Sequence, residues 1–261
     1  MIERGSNEMI GVTKEESVAW VQVKHPPANA LSTELLTQLD ERMTELSHDD
    51  EISAIILHGE RRFFVAGADI KEFEGKKGSD LADGGQALFN KLESFNKPIV
   101  AAIHGAALGG GLELAMACTI RIATEDAKLG LPETNLGLIP GYGGTQRLPK
   151  LVGPHKAAEM MLTGLPITGA DALMWRLVND TAKDEQQLLE KAGKLAQTIA
   201  EKSRLTSERI LDLVQEAHHG EDFEKGLKKE AQYFSEVFDS ADAKEGIGAF
   251  LEKRKPEFSN R

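Results

Sequence analysis

Apolar positions along the chain recur at two spacings. Up to about residue 123, short apolar runs alternate with helical stripes; from about 184 only helical stripes remain. Residues 9–24 predict two strands around Lys14-Glu15-Glu16-Ser17, the second being Val18-Ala19-Trp20-Val21-Gln22-Val23, rich in β-formers. His25-Pro26-Pro27 ends it, because consecutive prolines cannot join a hydrogen-bonded ladder. Ser32 is the predicted N-cap of a helix over 33–47, where Leu35, Leu36, Leu39, Met43 and Leu46 fall at helical spacing. Further strands are predicted over 52–57, 98–103 and 120–123, with helices over 83–95 and about 110–117. Glycine and proline crowd 128–149, which reads as loop and short elements. Strands joined through helices define an α/β chain.

From 184 to 251 four helical stripes follow. Leu188, Ala192, Leu195 and Ile199 mark the first, Ile210 and Val214 the second, Phe223, Leu227, Phe234 and Phe238 the third, Ile247 and Leu251 the fourth. Such stripes must cover something, either the α/β core or another subunit.

Composition narrows the classes. With 261 residues, 41% hydrophobic and 28% charged, the chain is an ordinary globular protein. The net charge of −11 argues against a general nucleic-acid or anionic-membrane binder. The clusters Arg61-Arg62, Lys76-Lys77 and Lys253-Arg254-Lys255 read as solvated surface. A single cysteine, Cys118, allows no intrachain disulfide and no cysteine-based zinc site, and its apolar surroundings suggest an inert buried thiol. The seven histidines form no HExxH pattern, and His218-His219 reads as surface. Residues 1–8 lack an apolar core and carry acids, unlike a secretory or transit segment, and no apolar run approaches a membrane span of about 20 residues. The expected location is cytoplasmic.

Two glutamates carry the candidate chemistry. Glu113 follows Gly109-Gly110-Gly111 and starts an apolar helix; Glu133 follows Pro132. Two carboxylates can divide general acid and general base work. Three glycines at a helix start leave N–H groups open to an anion or oxyanion, although a tight turn needing positive φ explains them equally well. No Gly-Lys-Ser/Thr follows them and no G-x-G-x-x-G is present, so nucleotide fingerprints fail. Ala66-Gly67-Ala68-Asp69 and Pro140-Gly141-Tyr142-Gly143-Gly144-Thr145 are further small-residue loops, each with a plainer reading as a turn. Asp69 is a candidate N-cap.

Taken together, the chain resembles the crotonase superfamily, the enoyl-CoA hydratase/isomerase family. The resemblance rests on Asn29-Ala30-Leu31-Ser32, 64–70, 97–105, 108–114, Leu131-Pro132-Glu133, 137–148 and 249–256, in that order. It implies a crotonase-like spiral of ββα repeats, with the site in residues 1–195, and a helical trimerisation region over 196–261. It implies that the backbone N–H groups of Ala68 and Gly110 form an oxyanion hole for a thioester, and that Glu113 and Glu133 hold the water added to an enoyl-CoA. Gly141 would line the site near that water. Ala66 and Lys71 would contact CoA, as would Phe250 and Lys253, from the same or a neighbouring subunit. The implied substrate is an acyl-CoA, with no separate cofactor and no metal, in a trimer or dimer of trimers.

Both glutamates favour a hydratase of the fatty-acid β-oxidation type. The alternatives are a Δ3-Δ2 enoyl-CoA isomerase, a hydratase of a branched or aromatic acyl-CoA, and an RNA-binding relative. Three positions depart from the family pattern: Thr119 for Asp, Arg176 for Gly, and Tyr142 where small residues are common. Arg176 implies a different turn, since glycine suits positive φ. Tyr142 implies a narrower pocket.

Overall fold

The computed structural model describes residues 8–220 and 222–259, so the reading of the first seven residues lies outside it. In chain order the elements are β1 (Ile10–Glu15), β2 (Val18–Val23), α1 (Thr33–Ser47), β3 (Ala54–Gly59), α2 (Gly78–Glu93), β4 (Ile99–Ile103), β5 (Ala106–Leu108), α3 (Gly110–Ala117), β6 (Ile120–Thr124) and β7 (Lys128–Gly130). Then come α4 (Gly144–Val152), α5 (Pro154–Thr163), β8 (Ile167–Thr168), α6 (Gly169–Met174), β9 (Asp180–Ala182), α7 (Glu185–Ala200), α8 (Arg204–His218), α9 (Phe223–Phe238) and α10 (Ala241–Glu252). Short 3-10 turns cover Ile70–Phe73 and Glu133–Leu136.

The chain winds as a coil. Its outer layer is a sheet ordered β1-β2-β3-β4-β6-β9, parallel apart from β1. After β2, β3, β4 and β6 the chain crosses to an inner layer before the next helix. Leu31 follows β2, Val65 and Ala68 follow β3, β5 follows β4, and β7 follows β6. Inner segments pair in parallel: Leu31 with Ala68, Val65 with Ala107, and β5 with β7. This is the expected ββα spiral, and it aligns the ends of successive inner segments along one edge.

Side-chain alternation supports the layers, since successive strand residues face opposite sides. Val18, Ala54, Ile56, Val100, Ala102 and Ile122 pack with α7, whereas Ala19, Ile55, Leu57, Ala101 and Ile103 join the inner core. On α1, Leu35, Leu39 and Met43 are almost fully buried, each worth about 1.5–3 kcal/mol. Ser32 caps this helix, its hydroxyl accepting from Leu35 N as its position predicts. Buried cations close two helix ends: Lys97 Nζ donates to Leu46 O at 2.5 Å and Asp49 O at 2.6 Å, and Arg121 Nη1 donates to Cys118 O at 2.6 Å. Thr119 Oγ1 accepts from Ile99 N at 3.1 Å, tying α3's exit to β4. Burial pushes the Cys118 thiol up to about 12, as an inert thiol requires.

Several elements differ from the sequence expectation. Helix α2 begins at Gly78 rather than 83, and α4 occupies part of the glycine- and proline-rich stretch expected to be loop and short elements. The division expected after residue 195 falls within α7, whose Ala196 and Ala200 pack with Leu188 and Ala192. Arg176 keeps φ at +61°, so the turn after α6 is left-handed despite lacking glycine, contrary to expectation. The bonds Arg176 N to Leu173 O and Leu177 N to Ala172 O impose it. A left-handed non-glycine residue costs about 1–2 kcal/mol. Arg176→Gly is therefore expected to stabilise by about 0.5–1 kcal/mol after the extra freedom of the unfolded glycine is subtracted, or about 1–2 °C in Tm. A lower Tm in a thermal melt would refute the strain.

No helix among the described residues is long and apolar enough to cross a membrane. Phe223, Phe234 and Phe250 stand 75%, 70% and 82% exposed on α9 and α10.

Candidate active site

The inner layer ends at a cavity of about 900 Å³. Its wall includes Ala66, Ala68, Gly110, Glu113, Glu133 and Gly141, so six of the expected residues meet there.

Ala68 reaches it through a parallel bridge. Leu31 N donates to Gly67 O at 2.8 Å, and Asp69 N donates to Leu31 O at 2.9 Å. In such a bridge Leu31 uses both its groups, so Ala68's own N–H faces the other way. Asn29, of the Asn-Ala-Leu-Ser stretch, holds this segment from behind. Its Nδ2 donates to Phe63 O at 2.8 Å and Glu60 O at 3.1 Å, and its Oδ1 accepts from His25 N at 2.9 Å. Asp69 caps the turn after Ala68, accepting from Lys71 N at 3.1 Å. Lys71 is exposed on this turn, outside the cavity wall.

Gly110 is the first residue of α3, where an N–H has no partner within the helix. Gly109 before it has φ +50° and ψ −126°, accessible to glycine, and a Cβ there would lie 2.9 Å from Glu133 Oε1. Gly111 lies so close to Val65 that a Cβ would approach Val65 O to 2.0 Å. The triple glycine thus serves both a turn and a close approach.

Glu113, in the first turn of α3, is 1% exposed. Its Oε1 accepts from Tyr142 N at 2.8 Å and Gly144 N at 2.7 Å. Burial raises its pKa from 4.5 to about 7; the Gly144 N–H opposes the rise and the charge of Glu133 adds to it. Glu133 opens the 3-10 turn after β7, beside α3 because β5 and β7 are parallel neighbours. Burial raises its pKa too, and its Oε2 is buried without a hydrogen-bond partner among the described residues. An unpaired buried carboxyl oxygen needs a ligand or a proton.

The loop 140–144 is more than a turn: its amides hold Glu113 in place. It is anchored to α2 by Arg147, whose Nη1 donates to Tyr142 O at 3.0 Å and whose Nη2 donates to Glu93 Oε2 at 2.7 Å and Asn90 Oδ1 at 2.7 Å. Gln86 Nε2 donates to Gly141 O at 2.8 Å. Sequence reasoning missed the roles of Asn29, Arg147 and Glu93, because nothing in their spacing reports partners 30 or more positions away. His219, expected at the surface, is exposed but also lines the cavity. Phe250 and Lys253 do not line the cavity of their own chain. Among the described residues no group of three His, Cys, Asp or Glu side chains is arranged to hold a metal ion.

A coil of ββα turns, with unpaired amides beside two buried carboxyls, defines a crotonase-fold enzyme. The family described as Enoyl-CoA hydratase/isomerase matches residues 13–261. A probable enoyl-CoA hydratase of Bacillus subtilis is 54% identical over 253 residues, covering 95% of this chain and 98% of that protein. A crotonyl-CoA hydratase of Syntrophomonas wolfei is 38% identical over 259 residues, covering 97% and 99%. The crystal structure of an enoyl-CoA hydratase from Bacillus anthracis superposes with a TM-score of 0.93 at 35% identity, covering 97% of this chain and 100% of that one. The chain belongs to the enoyl-CoA hydratase/isomerase family of the crotonase superfamily, in its hydratase branch.

Proposed function

We propose that the protein adds water reversibly across the C2=C3 bond of a 2-trans-enoyl-CoA, giving a 3-hydroxyacyl-CoA by syn addition. The observation that carries this reading is the pairing of Glu113 and Glu133 beside the Ala68 and Gly110 amides in one cavity. The thioester oxygen accepts from both amides, which stabilise the enolate as negative charge moves onto it. Ionised Glu113 takes a proton from water as its oxygen bonds to C3. Protonated Glu133 delivers a proton to C2, one proton being shared by two carboxyls whose pKa values burial raises together. The two carboxyls re-equilibrate their proton before the next turnover. Water and thioester are the only reactants, so the scheme calls for no cofactor and no metal.

Ala68→Pro removes one amide donor and is expected to lower kcat about 10²–10³-fold. A kcat near the wild-type value in a folded variant would exclude Ala68 from the oxyanion hole.

CoA would lie along Ala66, with Lys71 at the lip. In the same reading the chain forms a trimer or dimer of trimers, supported by the open apolar side chains of α9 and α10. Phe250 and Lys253 would then reach a neighbour's CoA, consistent with their distance from their own cavity. A cytoplasmic location belongs to this reading.

The deciding experiment mixes purified protein with crotonyl-CoA and follows the conjugated enoyl-thioester absorbance, identifying the product by mass. Loss of absorbance with gain of one water is expected. A shifted double bond without added water would make the protein an isomerase.

A further inference from the structure

A second cavity, of about 650 Å³, lies behind the first, between α1, the 70–73 turn and α2. Leu31, Leu36, Leu81 and Leu88 give it apolar walls, and the ion pairs Lys91–Asp40 and Lys76–Glu72 form part of its lining, partly open to solvent. Among the described residues, only Phe73, Leu81 and Tyr142 line both cavities. Among these, Tyr142 stands next to the proposed chemistry, since its backbone N–H holds Glu113.

The Tyr142 ring is wedged between two glycines. A Cβ on Gly110 would come within 3.1 Å of its Cδ2, and a Cβ on Gly85 would meet its Cδ1 at 2.3 Å. Gly85 therefore has to lack a side chain for the ring to lie where it does. Phe89 fixes the ring edge-on, with centroids 5.5 Å apart and planes at 87°. The phenol's elevated pKa has burial as its first cause, then Glu113 from the first cavity and Glu72 from the second, as its place between them requires. Behind the ring, Gly84 and Gly85 sit inside α2, each weakening the helix by about 1 kcal/mol relative to alanine. A Cβ on Gly84 would meet nothing within 4 Å.

We propose that the Tyr142 ring is the partition that sets acyl-chain length: it closes the site cavity beside the reacting carbons, and without it the acyl chain runs on into the second cavity between α1 and α2. This rests on the hydratase reading above. A methylene accommodated or refused in an apolar pocket changes kcat/KM by about 10–200-fold, so a wall of this size has the leverage required.

The test compares kcat/KM for crotonyl-CoA, 2-octenoyl-CoA and 2-dodecenoyl-CoA in the wild type, Tyr142→Phe, Tyr142→Leu and Tyr142→Ala. The wild type and Tyr142→Phe are expected to favour crotonyl-CoA over dodecenoyl-CoA by about tenfold or more. Tyr142→Ala is expected to lose that preference or reverse it, with Tyr142→Leu between them. Binding of unreactive dodecanoyl-CoA should tighten in Tyr142→Ala by a similar factor, a readout that general damage to the site does not produce. Tyr142→Leu fills more of the ring's space should the alanine variant fail to fold. A wild type that hydrates dodecenoyl-CoA as well as crotonyl-CoA overturns the partition, as does an unchanged ratio in the folded leucine or alanine variant. A wild type that hydrates none of the three defeats the hydratase reading, and the partition with it.

Discussion

Replacing Glu133 by glutamine is expected to lower kcat for hydration by about 10²–10⁴-fold, the usual contribution of a positioned acid or base. Fold and CoA binding should persist. The side chain sits on a short turn, its Oε2 has no partner to lose among the described residues, and glutamine is nearly isosteric. The proposed role is proton delivery to C2, so the variant should also stop incorporating solvent deuterium at C2 of a saturated or 3-hydroxy thioester. Turnover at the wild-type rate would remove Glu133 from the reaction. Lost turnover with deuterium exchange intact would move it from C2 to the water.

Glu113→Gln is expected to move activity and stability in opposite directions. Activity should fall by a similar factor, because an amide cannot take the proton of water. Stability should rise, and the sign follows from where the group titrates. Its folded value is about 7, against 4.5 in the unfolded chain. Below pH 4.5 both states carry the proton and nothing is lost. As pH rises from 4.5, the unfolded chain ionises first and stability falls, until the loss is complete above about pH 7. That difference corresponds to about 3 kcal/mol. The glutamine side chain still accepts from Tyr142 N and Gly144 N through its oxygen, so the variant should melt higher than wild type at pH 8 and at the same temperature near pH 4. Equal melting at pH 8 would mean that Glu113 ionises without strain. In the wild type, kcat/KM should rise with pH as the proposed base Glu113 ionises around 7, and fall again once the proposed acid Glu133 has lost its proton.

The same burial explains which parts of the molecule could be read from its letters. Helix α1 announces itself through Ser32 and five apolar residues at one spacing. Strands β5 and β9 have three residues each, too few for an alternation to register. The pattern assigns no element between 150 and 183, where α5, α6 and β9 lie. Helix α4 escaped because it opens on Gly144 and carries Pro149 in its interior, both helix breakers. It forms nonetheless, since Arg147 is held by Glu93 and Asn90 from α2. Glu113 and Glu133 were recognisable through the motifs around them. Their convergence was not, because it depends on β5 and β7 lying side by side. Arg176 shows the limit in reverse: its identity argued against a left-handed turn that the surrounding hydrogen bonds enforce.

The Leu31–Ala68 bridge has an evolutionary consequence. The amides proposed to catalyse belong to the main chain, so replacing Ala68 by any residue but proline leaves its donor in place, while Gly110 is held to glycine by the ring of Tyr142. Substitution at Tyr142 or along α2 can then redraw what the cavity admits while the electrophilic end of the site stays in place. A coil built this way separates the part that must persist from the part free to drift, and new substrates become reachable by single replacements on the wall.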